Sequence, residues 1–523
     1  MKHTNNKTSD ITMTKAAIRR SGTWALGGVS ALAALALANH ACAQTTDPLL
    51  DTLIKKGILT EDEAKSIKTE AIASQSNNLP ALPSKWKISN GIKDIELFGD
   101  ARFRYEYRAA ASGGVGQVAL ERYRYALRLG LRGNLTDNFY YGLRMETAAN
   151  PRSPWVTFGT SSSGTPYQGP SGKSTAGINL GQLYLGWHPA DWVDLTIGKM
   201  PNQLYTTPMT WDTDLNPEGL MERFKYTVGS VDFFANFGQF VYEDTNPNHA
   251  GSGLVTSFPG GHDANPPFLL AWQAGLTERL TTNVSFKIAG TLYNYTSTGA
   301  DNSTATGFPS GTPGFSDTFV GEGQNGANQN VNNFDGFVFD QTGINDLLIL
   351  DIPAQIDFKV QHLRARIFGD FAENLNGAAR ANAAVRAGAT VGPSFIAIPL
   401  HKNQNKAYQI GLALGNGEQL GIVYGSTVKK GMWEVRSYWQ HVEQYALDPN
   451  LLDSDFFEGR GNLEGVYAAA AFGLSDNVIA SIRGGYASRI DKSLGTGGNN
   501  QDIPQVNPID RYQILQLDLT YRF

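Results

Sequence analysis

The sequence predicts an all-β fold: a closed antiparallel transmembrane β-barrel of about sixteen strands, with eighteen as the alternative count, behind a short N-terminal periplasmic helical segment. Three observations predict it. The segment Gln513 to Phe523 sets Leu515, Leu517, Leu519, Tyr521 and Phe523 on one side and mostly polar residues on the other, the two-residue period of a strand with one apolar and one wet face. From Ile92 onward, tight turns and long polar connections alternate. After residue 43 no uncharged apolar run reaches the roughly 20 residues of a spanning helix, so a chain that crosses a bilayer must do so as a closed barrel.

Lys2, Lys7, Lys15, Arg19 and Arg20 precede an apolar stretch from Trp24 to Ala38 and then Ala41-Cys42-Ala43. This is the pattern of a secretory signal peptide over residues 1–43, exported by a Sec-type route and cleaved near Ala43. The long basic region makes Met13 an alternative start. Arg19-Arg20 lacks the apolar residues that should follow in a twin-arginine signal. Cys42, the single cysteine, has Asn39 rather than Leu three residues before it, against a lipoprotein anchor. Its removal excludes disulfide scaffolds, thiol chemistry and Cys-ligated metals. The chain has 43 Lys+Arg against 48 Asp+Glu, and removing the five basic and one acidic residue of the signal leaves 38 against 47. That balance gives no nucleic-acid footprint. No metal or other cofactor is expected.

Residues 44–90 read as a periplasmic helical segment and linker. Leu49, Leu50, Leu53 and Ile54 repeat at helical spacing, Gly57 breaks the run, and Thr60 with Glu63 forms a capping box. Ile67, Ala71 and Ile72 give the second helix its stripe, so Asp47 to Gln75 is expected to be a helical hairpin; a coiled coil would have fewer than four heptads. Asn77 to Pro83 is the linker.

The barrel is expected over residues 91–523. Tight turns fall at Thr136-Asp137-Asn138, His188 to Asp191, Gly229-Ser230, Thr281-Thr282 and Ser475-Asp476-Asn477. Long connections run over Asn150–Lys173, Pro201–Glu218, Val241–Pro267, Ser297–Asn345, Asn374–Lys402, Ala446–Gly459 and Asp491–Asn507. Two junctions are ambiguous: a Gln361-His362 turn without glycine and a turn within Ser426 to Gly431. Short turns on one side and long loops on the other match the periplasmic and outer faces, which puts both ends of the barrel chain in the periplasm. Phe139, Tyr140 and Tyr141, Trp187 and Trp192, and Phe472 sit beside tight turns, where aromatic girdles meet the membrane interface. A barrel of this size leaves an aqueous channel, so a pore is the default function.

Arginine recurs at even spacing on neighbouring strands. Arg122, Arg124, Arg128 and Arg132 share a face opposite Tyr123, Tyr125, Leu127, Leu129 and Leu131; Arg102, Arg104 and Arg108 oppose Phe103, Tyr105 and Tyr107; Arg144 continues the row. A lipid-facing Arg near the midplane costs roughly 2–4 kcal/mol, which turns this face to the lumen. The arginines either pair with Glu106, Glu121 and Glu146 or form a basic wall that concentrates anions. No Gly-x-Ser-x-Gly elbow or His-Glu-x-x-His helix is present, and His188, His362 and His441 are isolated, so an enzyme is not expected. An adhesin or cell-wall tether is the other reading, with Asp301 to Asn333 as a solvated recognition loop.

Leu97 to Arg108, the strand around Arg124, Tyr438 to Glu443 leading to Asp453-Ser454-Asp455-Phe456, and the opener Ile58 to Ala64 resemble the Gram-negative "putative porin" family, similar in plan to phosphate-selective porins. The resemblance implies an outer-membrane channel in contact with lipid and lipopolysaccharide. It also implies passage of small hydrophilic or anionic solutes, including phosphate or organic acids as specific alternatives, and a homotrimer. Tyr521 and Phe523 would be the signal read by the barrel assembly machinery. In general porins the third outer loop folds inward, which makes Asp212, Asp214 and Glu218 candidate constriction acids facing the arginines. The Asp-x-Asp-x-Asn spacing at 212, 214 and 216 also suits Ca²⁺, although the glycine and terminal glutamate of a calcium loop are missing.

Overall fold

The computed structural model describes residues 56, 60, 89–113, 116–148, 153–159, 177–242, 268–296, 347–386, 390–391, 396–426, 428–496, 502–503, 506 and 508–523. The chain divides into Met1–Ile88 and Ser89–Phe523. The expected signal peptide, helical hairpin and linker lie outside the described residues apart from Lys56 and Thr60, as do most of 241–267 and 297–345.

Sixteen strands form the barrel. The first eight are β1 (Glu96–Ser112), β2 (Gly116–Asn134), β3 (Phe139–Ala148), β4 (Gly177–Ala190), β5 (Val193–Lys199), β6 (Glu218–Val228), β7 (Val231–Val241) and β8 (Phe268–Thr281). They are followed by β9 (Val284–Thr296), β10 (Leu348–Asp351 continuing as Ala354–Val360), β11 (Leu363–Asn374), β12 (Lys406–Gly415), β13 (Trp433–Val442), β14 (Leu463–Ser475), β15 (Val478–Arg489) and β16 (Arg511–Arg522). Each pairs antiparallel with its sequence neighbours, and β16 returns to β1 from Asp100↔Arg522 to Ala111↔Arg511, which closes the barrel. Pro353, which has no N–H to donate, lies in the break of β10, and both halves of that strand pair with β9 and β11. The sheet reaches eighteen segments by this break and by the two-residue strand Val156–Thr157 on β2. Among the described residues no helix is long and apolar enough to span a membrane.

Side-chain alternation sets the two faces. On β2, Arg124, Ala126 and Arg128 are buried while Tyr123, Leu127 and Leu129 are exposed. On β16, Tyr512, Ile514, Gln516 and Asp518 face in, and Leu515, Leu517, Leu519 and Tyr521 face out. A one-residue slip would exchange these faces and put Arg124 and Arg128 in lipid, at about 2–4 kcal/mol each.

The tight turns use residues that tolerate positive φ: Asp137 (59°), Asn138 (63°), Gly229 (61°) and Asn477 (88°). Gln361 itself adopts φ 55° and makes the glycine-free turn. Near the turn end, Phe139 stacks on Trp187 at 5.5 Å and Trp192 packs on Phe224 at 6.1 Å. Tyr140 instead points inward, its hydroxyl donating to Asp194 at 2.7 Å. At the seam Gly99 and Phe523 exchange backbone hydrogen bonds of 2.9 and 3.1 Å. A Cβ on Gly99 would lie 2.3 Å from the Arg128 carbonyl and 2.7 Å from the Phe523 ring, so the terminal aromatic lies over β1 only because this residue is glycine.

Two connections break the expected alternation. The outer turn between β1 and β2 spans only 113–115. The inner connection between β12 and β13 is long, 416–432, in place of a tight turn within 426–431. The cause is local: Gly421 (φ 139°) and Gly425 (φ 82°) bend the segment, and Glu434 accepts the Gly421 and Ile422 N–H groups at 2.5 and 2.7 Å. The segment folds back so that Ile422 and Val423 are buried.

Candidate functional site

The arginine row is built by register. Arg104 lies opposite Arg124, Glu106 opposite Arg122 and Asp100 opposite Arg128. Two like charges face to face need counter-charge, and it comes from distant parts of the chain. Asp518 of β16 takes Arg104 bidentately at 2.7 and 2.9 Å, Asp455 takes it at 2.9 Å, and the guanidinium lies 4.1 Å over Trp155. Glu106 is a hub, 3.1 Å from Arg108, 2.5 Å from Arg122 and 3.7 Å from both Arg104 and Arg124. Asp502 reaches Arg122 at 2.6 Å and Arg108 at 3.2 Å. Arg102 binds Asp100 at 2.6 Å, Arg144 binds Glu146 at 3.0 Å, and Arg132 pairs with Glu96 at 2.7 Å in an exposed position. Arg128 contacts Asp214 closely and Glu146 at 3.4 Å. Every arginine of the row thus has a carboxylate partner, and Asp455, Asp502 and Asp518 are partners that sequence reasoning did not find.

The connection after β5, residues 200–217 (L3), enters the lumen. Met200, Met209 and Trp211 are buried in it. Its near half is fixed to the wall: the Tyr205 N–H donates to Gln273 at 2.9 Å, the Tyr205 hydroxyl to Gln355 at 3.0 Å, and Thr207 to Asp370. The far half meets the connection after β13, residues 443–462 (L7). Asp212 accepts Ser454 N–H and O–H at 3.1 and 3.0 Å, its own N–H reaches the Leu451 carbonyl at 2.6 Å, and Asp453 N–H reaches the Pro208 carbonyl at 3.2 Å. Asp212 also accepts the Asp214 N–H at 2.9 Å, and Asn216 accepts from Gln182 at 2.8 Å. Protein donors therefore hold the oxygens considered for calcium. Glu218 stands at the strand end, exposed, 2.5 Å from Lys199.

Burial and surrounding charge split these acids into two kinds. Burial pushes Asp212 well above the usual carboxylate range, with Asp453 and Asp214 adding to it. Burial and the neighbouring Asp455 raise Asp453 to about 7. For Asp214 burial acts upward, but Arg128 and Arg102 outweigh it and lower the pKa; for Asp455, Arg104, Arg108 and Arg483 do the same.

Across the barrel an apolar cluster fills part of the inner faces of β11 to β16. Phe368, Tyr438, Tyr467, Ala469 and Ala471 pack with Phe456 and Phe457 of L7, with Ile422 and Val423 from the inner connection, and with Ile503, Val506 and Ile509 from the connection after β15. This half of the lumen is a protein core. Cavities remain against β3 to β9. The outer one, about 620 Å³, is lined by Glu146, Lys199, Trp211, Asp214 and Tyr242. The inner one, about 480 Å³, is lined by Asp194, Tyr205, Arg223, Phe234 and Lys287. L3 contributes walls to both.

A second basic cluster, absent from the sequence-based candidates, follows from the register of β5 to β11. The lumen face of the inner mouth carries Arg223, Lys225, Arg279, Lys287, Lys359, Arg364 and Arg366 against Asp194, Asp232 and Asp357. The signal was there in the recurrence of basic residues on both sides of the Gln361-His362 turn.

A sixteen-stranded barrel with an apolar outer face, an inward loop and polar cavities on either side of it defines an outer-membrane channel of the porin class. The family model described as Putative porin matches residues 116–523, and the chain belongs to that family, which sets it in the Gram-negative outer membrane. Solved structures similar to the chain include an anion-selective porin from Comamonas acidovorans (10% identity, TM-score 0.39, covering 82% of this chain and 99% of that one). Others are a mutant of Rh. blastica porin (11%, 0.35, 82% and 100%) and OmpT, an outer membrane protein of Vibrio cholerae (9%, 0.37, 84% and 99%). No curated protein matches the sequence.

Proposed function

We propose that the protein is a general diffusion channel for small hydrophilic solutes with a modest preference for anions. The observation that carries the preference is the inner mouth, where among the described residues of β5 to β11 seven cationic side chains meet three carboxylates on the lumen face, with Asp191 of the adjoining turn as a fourth. Walls of low dielectric focus such a field into the water path. The raised pKa of Asp212 and Asp453 adds to it, because burial reduces the negative charge these acids place at the L3 to L7 contact. Asp214 opposes the preference. Local charge beside the path outweighs the net negative charge of the chain, since exposed charges more than about 10 Å away are screened at 0.1 M salt.

Reversal potential in a planar bilayer under a KCl gradient tests this reading. The wild type should show chloride preference, R124S/R128S should shift towards potassium, and D214N should shift towards chloride. A cation-selective wild type would overturn it; an unchanged R124S/R128S would assign those arginines to structural pairing alone. The same proposal includes signal cleavage near Ala43, a periplasmic location for residues 44–90, and insertion by the barrel assembly machinery reading Tyr521 and Phe523. It also includes a homotrimer surrounded by lipid and lipopolysaccharide. N-terminal sequencing and cross-linking of the purified protein check the cleavage site and the trimer.

A further inference from the structure

The inner cavity contains three basic side chains, and they differ in pairing. Arg223 is held by Asp194, and Lys225 lies 3.8 Å from Asp232. Lys287 has no ion pair among the described residues; its ammonium sits 4.0 Å over the Tyr205 ring and 5.4 Å from that of Phe234. Tyr205 is fixed in turn by its bonds to Gln273 and Gln355, so the aromatic face that holds Lys287 is part of the L3 anchor. Lys287, Tyr205 and Phe234 all line the 480 Å³ cavity, a volume within the range of small-ligand sites.

From this geometry we propose that the inner cavity is a binding site for small, singly charged organic carboxylates, with Lys287 as the residue that holds the carboxylate. The proposal rests on the channel reading and names a solute class for it. The charge of the ligand follows from the lining: among the described residues Arg223 and Lys225 are offset by Asp194 and Asp232, which leaves the one cation of Lys287, and Asp191 on the same space disfavours a second negative charge. The organic body follows from Leu204, Tyr205 and Phe234, which offer apolar surface that a bare inorganic ion leaves unused. The site lies below L3, so a solute that has passed the loop is held once before it leaves the channel.

The test is block of chloride current through the full-length protein in a planar bilayer, with butyrate as probe and phosphate as the multiply charged control. Wild type should show saturable block by butyrate and none by phosphate. K287Q should raise the half-blocking concentration about tenfold, equivalent to about 1.4 kcal/mol, and K287R should keep it near wild type. A butyrate effect without saturation, or a K287Q channel blocked like wild type, would overturn the site; phosphate block as strong as that of butyrate would overturn the ligand class. The reversal potential measures anion preference separately, so a channel that is not anion-selective but keeps Lys287-dependent block would sink the selectivity reading and leave this one standing.

Discussion

Truncating Asp212 to alanine should unseat the inward loop, and the structure sets the scale. The carboxyl accepts the Asp214 N–H, the Ser454 N–H and the Ser454 hydroxyl at 2.9, 3.1 and 3.0 Å. The hydroxyl can rotate to another acceptor; the two backbone donors cannot. A buried donor left unsatisfied costs about 1–3 kcal/mol, so the L3 to L7 contact should weaken by about 2–6 kcal/mol. The Leu451 and Pro208 carbonyl bonds and the packing of Trp211 on Phe240 remain. Each 1.4 kcal/mol is tenfold in population, so detached states of L3 should rise at least tenfold without loss of the barrel, a local opening of the kind that leaves the rest of a fold intact. Single-channel recording should show more frequent transitions and a larger mean conductance in D212A. D212N changes little charge, because burial favours the neutral acid, but it replaces one of the two acceptor oxygens by an NH2 that cannot accept; it should leave the reversal potential near wild type and loosen the loop less than D212A does. The reasoning fails if D212A records like wild type, or if D212N moves the reversal potential as far as D214N does.

Two further outcomes are expected. Asp453 has its pKa raised from 3.8 to about 7, so it binds a proton in the folded channel that the unfolded chain has released over that interval; its contribution to L7 packing is full below 3.8 and is lost as pH rises through about 7. Anion preference should accordingly fall between pH 5 and pH 8 as this site gains negative charge, and D453N should flatten the profile; a profile in D453N as steep as in wild type would count against it. Deleting Phe523 removes the ring that lies over Gly99 and the bonds that pair it to β1, and should cut the amount of heat-modifiable barrel in the outer membrane several-fold while export continues; normal amounts would remove the residue from the assembly signal.

The outer faces of the strands were legible because lipid imposes a strict two-residue rule, as in Leu515 to Tyr521 and Tyr123 to Leu131. The inner faces obey no such rule, since a lumen can hold water or protein. Tyr467 to Phe472 is apolar on both faces, a signal that the inner side of β14 is covered, and it passes for an ordinary strand when only the outward face is sought. Met209 and Trp211 were likewise visible in a connection classed as polar, where a solvated loop has no use for them. The partners of the arginine row were illegible for a different reason. Asp455 and Asp518 lie 351 and 414 residues from Arg104 in sequence, and only barrel closure brings them together. The basic inner mouth depends on register across seven strands, which the turns fix and the residue pattern does not.

The seam between β1 and β16 has a consequence for the order of events in biogenesis. Asp455 of L7 is bound by Arg104 and Arg108 from the first strand and by Gln516 from the last, at 2.9, 3.4 and 2.9 Å. The two ends of the barrel are therefore clasped from within the lumen by L7, in addition to the direct pair of Arg104 and Asp518 across the seam. Ring closure and occupation of the lumen are thus coupled through Asp455. A machine that holds the edges apart during insertion also holds apart the donors that fasten this loop, so the closed ring and the filled interior reinforce each other.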